Sequence, residues 1–258
     1  MKLGCPPCLW RWPIWFVPLL LLAIAGCAGE ERQVSCADSV STSAAAAQQN
    51  LLSNPSFEAG RGPWFSLETE GWGTPFSVST AAARSGDSSA LLEVRSDAVA
   101  GAGPVRVFGV VQELRPPDFP EVLSGYYCVE RWEQGTPKQY LQSVVIVHAA
   151  RNIPAEVASA TNHQIRYILA GVESQPTFIG NARYVMVGRG APKLGEWVRF
   201  ERNVREDFQE LWGDVPEGFA SLRIFFETRW DDRKPTDGPS AADVYYDDLY
   251  LGPAAEAP

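Results

Sequence analysis

Apolar and polar residues alternate with a period of two along much of the chain between residues 50 and 252, in short segments separated by Gly, Pro, Asn and Asp clusters. This pattern is typical of antiparallel strands with one face towards a core. In one segment, one face would carry Leu222, Ile224, Phe226, Thr228 and Trp230, and the other Arg223, Phe225, Glu227 and Arg229. The predicted strands are 77–80, 89–94, 106–114, 121–132, 139–148, 164–169, 182–187, 196–204, 220–230 and 243–251.

A short helix is predicted at 204–212, where Phe208, Leu211 and Trp212 recur at three- and four-residue spacing behind two acidic residues. Many strands with little helix predict an all-β fold, a two-sheet antiparallel β-sandwich (jelly roll) with one or two short helices. About 200 residues, from 50 to 252, suffice for one core. Residues 253–258 are predicted to form a loose tail.

The first 27 residues have the layout of an export signal. Lys2 and Arg11 precede an uncharged run at 13–26, which ends in small residues directly before Cys27. Charged, apolar and small sections in this order are typical of a secretory signal. The Cys that follows them resembles the processing site of bacterial lipoproteins. That resemblance implies a signal peptide at 1–26, lipid on Cys27 and a protein anchored to a membrane by that lipid.

Two further features of the N-terminal region refine this interpretation. Ala28 follows the cysteine where an inner-membrane retention signal would have Asp, so the resemblance to bacterial lipoproteins implies the outer membrane in a host with two membranes. An uncleaved signal anchor at 9–25 is the alternative, although a membrane span needs about 20 apolar residues. Residues 28–49 are polar or small and include no aromatic residue, so 27–49 is predicted to be a disordered, lipidated tether.

The net charge limits which partners are expected, and the cysteine count limits which disulfides can form. Removing residues 1–26 takes away two basic residues and no acid, so the net charge of −9 becomes −11. With no basic stripe, a nucleic acid is not expected as a partner. Of five cysteines, Cys36 and Cys128 remain after signal removal and lipidation. They could form a disulfide in an oxidising envelope, or stay free because Cys36 lies in the predicted tether.

Four segments of the domain resemble a known family. They are LLSNPSFEAG at 51–60, ARSGDSSALLEV at 83–94, GEWVRFERNV at 195–204 and ADVYYDDLYLG at 242–252. These segments are similar to the galactose-binding-like jelly rolls of carbohydrate-binding modules of the cellulase and xylanase kind, families 4, 9 and 22. Ala90 stands where that family usually has Leu. The resemblance is diffuse at 115–190, where an insertion is expected.

The resemblance implies a structural Ca²⁺ that joins the first strand to the last. Its ligands here would be Glu58, a group at Ser85, Asp247 and Asp248, with Asp87 at the fringe. Calcium takes six to eight oxygen ligands, often mixing carboxylates with carbonyls. The alternative is that these acidic side chains lie at exposed strand ends or cap hydrogen bonds.

A sugar site needs aromatic rings for the apolar face of a pyranose and polar groups for its hydroxyls. The predicted ligand-binding residues are Tyr126, Glu130, Trp132, Tyr140 and Trp230. Polar residues near them in sequence support a site there, namely Arg131, Gln142, Arg229 and Asp231. Alternation would place the first three on one strand face together with Cys128. The alternative is that these residues belong to an ordinary sandwich core and its edges.

Enzymatic activity is not expected. Neither histidine, His148 or His163, lies in a metal-binding or nucleophile motif. Glu130 and Glu133 would project to opposite faces of a strand, which suits paired-carboxylate chemistry poorly. The sequence therefore predicts a membrane-anchored, non-catalytic binding lipoprotein, with a glycan as the expected ligand. An envelope protein-interaction lipoprotein is the alternative, and a glycoside hydrolase-like enzyme is the third.

Overall fold

A computed structural model of the 258-residue chain describes residues 35–37, 50–66, 76–95, 106–135, 138–148, 163–174, 180–213, 215, 218–232, 234 and 236–254. The predicted signal peptide, Cys27, most of the predicted tether and the end of the tail lie outside these ranges. Within them, no helix is both long and apolar enough to cross a membrane.

Eleven strands and one helix occur in the described residues. The strands are β1 Phe65–Ser66, β2 Ser77–Ser79, β3 Ser89–Arg95, β4 Arg106–Leu114, β5 Val122–Glu133, β6 Lys138–His148, β7 Gln164–Ala170, β8 Ala182–Met186, β9 Trp197–Asn203, β10 Ser221–Asp231 and β11 Ala241–Gly252, and helix α1 is Val204–Trp212. The helix and the ten predicted strands all occur, with bounds that differ from the prediction by at most two residues. Among the described strands, only β1 was not predicted from the alternation of apolar and polar residues.

The strands form two sheets, which confirms the predicted all-β sandwich. Sheet A has six strands in the order β1-β4-β10-β6-β7-β8, and sheet B has five in the order β2-β3-β11-β5-β9. All neighbours are antiparallel except β7 and β8, which run parallel. The region 115–190, where an insertion was expected, supplies β5 to β8, and β5 and β6 are interior strands.

The core lies between the sheets, where the inward residues of each strand meet. On β10 the five residues that alternation placed together are each 0% exposed. Phe226, near the middle of that strand, has its ring centroid 6.0 Å from those of Trp64 and Phe200 and 5.7 Å from that of Tyr246. Aromatic side chains from both sheets therefore meet at one point and hold the sheets together.

Helix α1 covers one end of the sandwich. The side chain of Asn203 caps its first turn by accepting a hydrogen bond from the Glu206 amide at 3.0 Å. Gly213 ends it in the left-handed conformation, with φ of 80°. Phe208 is fully buried, and its ring centroid lies 5.0 Å from that of Phe119.

The two ends of the domain are adjacent. The Leu51 amide donates to the Leu251 carbonyl at 2.7 Å. The Asn50 side chain donates to the Leu249 carbonyl at 2.7 Å and accepts from the Leu251 amide at 3.0 Å. The chain therefore enters the fold along the last strand.

Candidate functional site: the outer face of sheet A

The predicted ligand-binding residues do not form one site. Trp230 is 0% exposed, and its ring centroid lies 5.5 Å from that of Phe108. It is a core residue rather than the exposed platform that the sequence predicted. The neighbouring acidic and basic residues that suggested a site there, Arg229 and Asp231, point to the opposite face of β10.

Trp132 also faces the core, because strand β5 contains a bulge. Val129 pairs with Val244 and Arg131 pairs with Asp243, so Glu130 is an extra residue between two consecutive pairs. A bulge of this kind reverses the alternation beyond it. Trp132 packs against the main core instead of sharing a face with Tyr126.

Tyr126 and Glu130 lie on the outer face of sheet B, each with a local partner. The guanidinium of Arg84 lies 4.5 Å from the centroid of the Tyr126 ring. Glu130 accepts a hydrogen bond from the hydroxyl of Tyr245 at 3.0 Å. Tyr126 thus already stacks against a cation on its ring face.

Tyr140 lies on the opposite side of the molecule, on the outer face of sheet A. In the β10–β6 register, Tyr140 pairs with Arg229 and Gln142 pairs with Glu227. Asp231 follows on the same face of β10 because side chains two residues apart share a face. These five residues are the outer-face cluster.

Hydrogen bonds join the outer-face cluster into one network. The Tyr140 hydroxyl donates to Asp231 Oδ2 at 2.5 Å, and Arg229 donates to Asp231 Oδ1 from Nε at 3.1 Å and Nη2 at 2.6 Å. Gln142 Nε2 donates to Glu227 Oε2 at 2.5 Å. The other end of the guanidinium, Nη1, lies 3.8 Å from that same oxygen. One cation therefore lies between two carboxyl groups.

Burial and charge fix the ionisation of two members. Burial raises the pKa of the Tyr140 hydroxyl, so the phenol stays neutral. Burial alone would lower the pKa of Arg229, but Tyr140, Glu227 and Asp231 act in the opposite direction and raise it. The network thus holds a permanent guanidinium and a neutral phenol, both able to donate hydrogen bonds.

One acceptor in the outer-face cluster has no partner among the described residues. Gln142 is 0% exposed, and its Oε1 makes no hydrogen bond there. An unpaired buried carbonyl costs about 1–3 kcal/mol. Because the side chain is fully buried, a ligand hydroxyl or amide reaches this oxygen only after neighbouring side chains move.

A second tyrosine extends the same face. Arg166 pairs with Val144 on one side and with Tyr184 on the other, so all three side chains face outward with the cluster. The guanidinium of Arg166 lies 5.7 Å from the centroid of the Tyr184 ring. Tyr184 and Tyr140 also pack in one small apolar group. Sequence reasoning missed Tyr184 and Arg166; the alternation within β7 and β8 was the available signal.

The predicted calcium ligands come together where β11 meets the turn before β3. Asp247 Oδ2 accepts from the amides of Arg84 at 2.7 Å and Ser85 at 3.2 Å, and Oδ1 accepts from the Asp248 amide at 2.7 Å. Asp248 Oδ1 accepts from the Ser85 hydroxyl at 2.5 Å and the Ser56 hydroxyl at 2.8 Å. Both carboxyl groups thus bond protein donors.

Glu58 reaches the same turn from the first segment. Its Oε1 accepts from the amides of Asp87 at 3.0 Å and Ser88 at 2.8 Å. In the described ranges, no three acidic, Cys or His side chains are grouped as a metal site would group them. Each of the three carboxyl groups accepts hydrogen bonds from protein donors, whereas the buried Asp248 Oδ2 has no partner among the described residues. The calcium site stays a prediction.

The carboxyl group of Asp247 has an unusually high pKa. Burial and the neighbouring charge of Asp248 raise its pKa to about 7, although the three backbone amides lower it. An acid with this pKa changes charge near neutral pH. The contact between the last strand and the 82–88 turn is therefore sensitive to pH.

The cysteine alternatives are resolved in favour of pairing. Cys36 and Cys128 form a disulfide with the two Cα atoms 6.0 Å apart. Cys36 is 1% exposed, so this part of the predicted tether is held against the domain.

Comparison with known proteins gives distant structural likenesses only. No protein-family model and no curated protein sequence matches the chain. The chain is similar to the carbohydrate-binding module TmCBM61, solved in complex with β-1,4-galactotriose, with a TM-score of 0.39, 13% identity and coverage of 79% of this chain and 97% of that one. It is also similar to the enzymatically active domain of bacteriophage CBA120 tailspike protein 4, with a TM-score of 0.42, 11% identity and coverage of 79% of this chain and 21% of that one. At these scores, ligand and chemistry have to be argued from the site itself.

Proposed function

We propose that this chain is a membrane-anchored, non-catalytic lipoprotein that binds carbohydrate at the outer face of sheet A. The observation that carries the proposal is the unpartnered Gln142 carbonyl, which lies beside a neutral tyrosine hydroxyl and a guanidinium in one network. Sugar sites combine aromatic rings with a few fixed donors and acceptors, because a pyranose has both an apolar face and hydroxyl groups.

Each group of the outer-face cluster has a role in this proposal. The rings of Tyr140 and Tyr184 are 3% and 4% exposed, so they must move to admit a sugar, whose apolar face they then contact. A sugar hydroxyl donates to Gln142 Oε1 in the opened site. The carboxyl groups of Glu227 and Asp231 accept further hydroxyls. The Asp231 side chain is 24% exposed whereas that of Arg229 is 7% exposed, so a sugar approaches from the Asp231 end of β10.

The arrangement of the carboxyl groups supports binding without turnover. Glycoside hydrolysis needs one carboxylic acid to donate a proton and a second carboxylate nearby. Here Asp231 accepts two hydrogen bonds from Arg229, and Glu227 faces the other end of the same guanidinium. The guanidinium thus engages both carboxyl groups, so neither is placed as a free acid or base beside a substrate.

The protein-interaction alternative has weaker support. Among the described residues, the exposed large apolar side chains are Phe65, Val187 and Leu194. Phe65 lies on edge strand β1, Val187 directly follows β8 at the other edge of sheet A, and Leu194 bridges to β5 in sheet B. Docking surfaces for proteins are contiguous apolar patches, and these three residues do not form one.

Lipid anchoring at Cys27 completes the proposal. It is supported by the order of charged, apolar and small residues before that cysteine. Mass spectrometry of the protein from bacterial membranes tests it. A mature N-terminus at Cys27 that carries fatty acyl chains is expected, and an intact signal segment would refute the anchor.

Two matched glutamine variants test glycan binding. Gln142 and Gln139 lie on the same strand and are both 0% exposed, and neither Oε1 has a hydrogen-bond partner in the described part of the chain. The two side chains face opposite sides of sheet A. In affinity electrophoresis through a panel of soluble polysaccharides, Gln142→Leu should lose at least tenfold in affinity for the glycan that retards the wild type. Gln139→Leu should be retarded as the wild type is.

Circular dichroism and urea unfolding confirm that both variants fold. If the two lose affinity equally, the outer-face cluster is not the binding site. If no polysaccharide retards the folded wild-type protein, the carbohydrate proposal itself fails.

A further inference from the structure

A short N-terminal segment is attached to the face of the sandwich opposite the proposed binding site. Residues 35–37, which we call the strap, are joined to β5 through the Cys36–Cys128 disulfide. Cys128 pairs with Tyr245 of β11, and these two side chains face away from the core, on the outer face of sheet B. The strap therefore lies on sheet B, whereas the outer-face cluster lies on sheet A.

Noncovalent contacts support the covalent attachment. The indole Nε1 of Trp197 donates to the Cys36 carbonyl at 2.9 Å. Cys36, Cys128, Tyr245 and Ala82 form a separate buried apolar group, against which Leu91 and Trp197 pack. Because backbone, side chain and disulfide are all held, the strap is a fixed part of the domain surface.

The disulfide shortens the stretch of chain that links Cys27 to the first described residue fixed on the domain. Nine positions separate Cys27 from Cys36 along the chain. A chain spans at most about 3.5 Å per residue, so this segment reaches at most about 30 Å. Without the disulfide, the next described attachment is at Asn50, which is hydrogen-bonded to the last strand. Twenty-three positions from Cys27 reach at most about 80 Å.

We infer that the Cys36–Cys128 disulfide is an orienting clamp, which holds the outer face of sheet B towards the membrane and presents the outer face of sheet A away from it. The inference rests on the proposed lipid anchor at Cys27. The strap is the first described range after Cys27 that is fixed to the domain, and the nine positions between them keep it within about 30 Å of the lipid. This limit favours the strap side as the side that faces the bilayer. The proposed glycan site then points outward.

A reductant can break the Cys36–Cys128 disulfide and so release the clamp. A dithiol reductant adds two electrons and two protons to the disulfide, gives two free thiols and becomes a cyclic disulfide itself. The accessible tether length then rises about two- to threefold. The domain becomes free to turn, and the binding face is no longer held in one direction.

Energy transfer to the bilayer tests the orientation. The full lipidated chain is placed in vesicles that contain an acceptor-labelled lipid, with a genetically encoded fluorescent amino acid replacing either Arg199 or Arg223. Arg199 is on the outer face of sheet B, and Arg223 is on that of sheet A, with side chains 56% and 35% exposed. The oxidised protein should transfer at least twofold more efficiently from position 199 than from position 223.

The clamp predicts that this difference disappears without the disulfide. In the double variant Cys36→Ser/Cys128→Ser, or in the wild type after reduction by a dithiol, the two positions should transfer equally. Reduction of the intact protein covers the case in which the double variant does not fold. Equal transfer in the oxidised protein, or a difference that survives reduction, overturns the clamp.

Two controls distinguish failure of the clamp from failure of the lipid anchor at Cys27 or of glycan binding at the outer-face cluster. Mass spectrometry of the vesicle-bound sample shows whether Cys27 carries lipid, and a chain without lipid refutes the anchor and the clamp together. Polysaccharide binding by the same vesicles reports on the outer-face cluster independently. A lipidated, glycan-binding protein with equal transfer from both positions refutes the clamp alone.

Discussion

The outer faces of the two sheets carry similar residues in different surroundings. On sheet A, the side chains of Arg229 and Asp231 are 7% and 24% exposed. On sheet B, those of the ion pair Arg199 and Glu201 are 56% and 49% exposed. Desolvated charges depend on their partners, whereas water screens exposed ones. A strand face with mixed charges can therefore be either a structural network or a solvated surface, and burial decides which.

The largest expected effect comes from removing the cation of the buried network. Arg229→Met leaves Glu227 and Asp231 without their shared partner and should lower the free energy of unfolding by about 3–5 kcal/mol. The matched variant Arg199→Met should lower it by about 1 kcal/mol or less. Urea unfolding measures both. Equal losses would show that the network on sheet A is no more dependent on its charges than the surface of sheet B.

Removing the disulfide should have the next largest effect. Cys36→Ser/Cys128→Ser opens a link between residues 92 positions apart and should cost about 2–4 kcal/mol, chiefly by freeing the unfolded chain. Urea unfolding in oxidising buffer measures the loss, and the difference from the wild type should vanish in a dithiol reductant. A difference that persists under reduction would mean that the serines damage the packing around Trp197 instead.

Asp247 provides a pH test at the edge of sheet B. Its pKa is raised to about 7 in the folded protein, so the folded state holds this proton more tightly than the unfolded chain does. The stabilisation is complete below about pH 4 and is lost as pH rises to about 7, with a slope of up to about 1.4 kcal/mol per pH unit. Asp247→Asn should remove that slope when unfolding is followed by urea titration in chelator.

Calcium would change the sign of this pH dependence. A bound cation favours the carboxylate and therefore lowers its pKa, so stability in excess calcium should rise with pH over the same range. Identical curves in calcium and in chelator would refute the predicted calcium site. This measurement separates a metal-linked strand end from one held only by amide hydrogen bonds.

The smallest effect is expected at Tyr126, the predicted ligand residue on sheet B. Tyr126→Leu loses the contact with the Arg84 guanidinium and should cost no more than about 1 kcal/mol. It should leave retardation by polysaccharide unchanged. A loss of retardation would move the binding site from sheet A to sheet B.

The strands and the helix were predictable because their signals are local. Period-two alternation and the turn residues identified β10, including the set of five residues that turned out to face the core. Trp230 belonged to that set, but the charged residues beside it in sequence drew it into the predicted site. Adjacent residues of a strand lie on opposite faces, so nearness in sequence was a poor guide to a shared site.

Other features depend on contacts between distant segments, which a single sequence does not show. The extra residue at Glu130 reverses the faces of β5, and no local pattern marks it. Cys36 lies in a stretch with the composition of a disordered tether, and its contacts with residues far away in sequence, Cys128 and Trp197, fix it. The pairing of Tyr140 with Arg229 and of Gln142 with Glu227 follows from the order of strands in sheet A, which alternation does not determine.

The adjacency of Leu51 and Leu251 has a consequence for how this domain can be reused. Because the segment from residue 50 to residue 252 begins and ends at the same place, hydrogen-bonded at 2.7 Å, this segment without the strap can be inserted into a loop of another protein without stretching its host. The same proximity permits circular permutation, with a short linker joining the old ends and new ends opened in a surface loop. This sandwich is therefore suited to serve as a portable module.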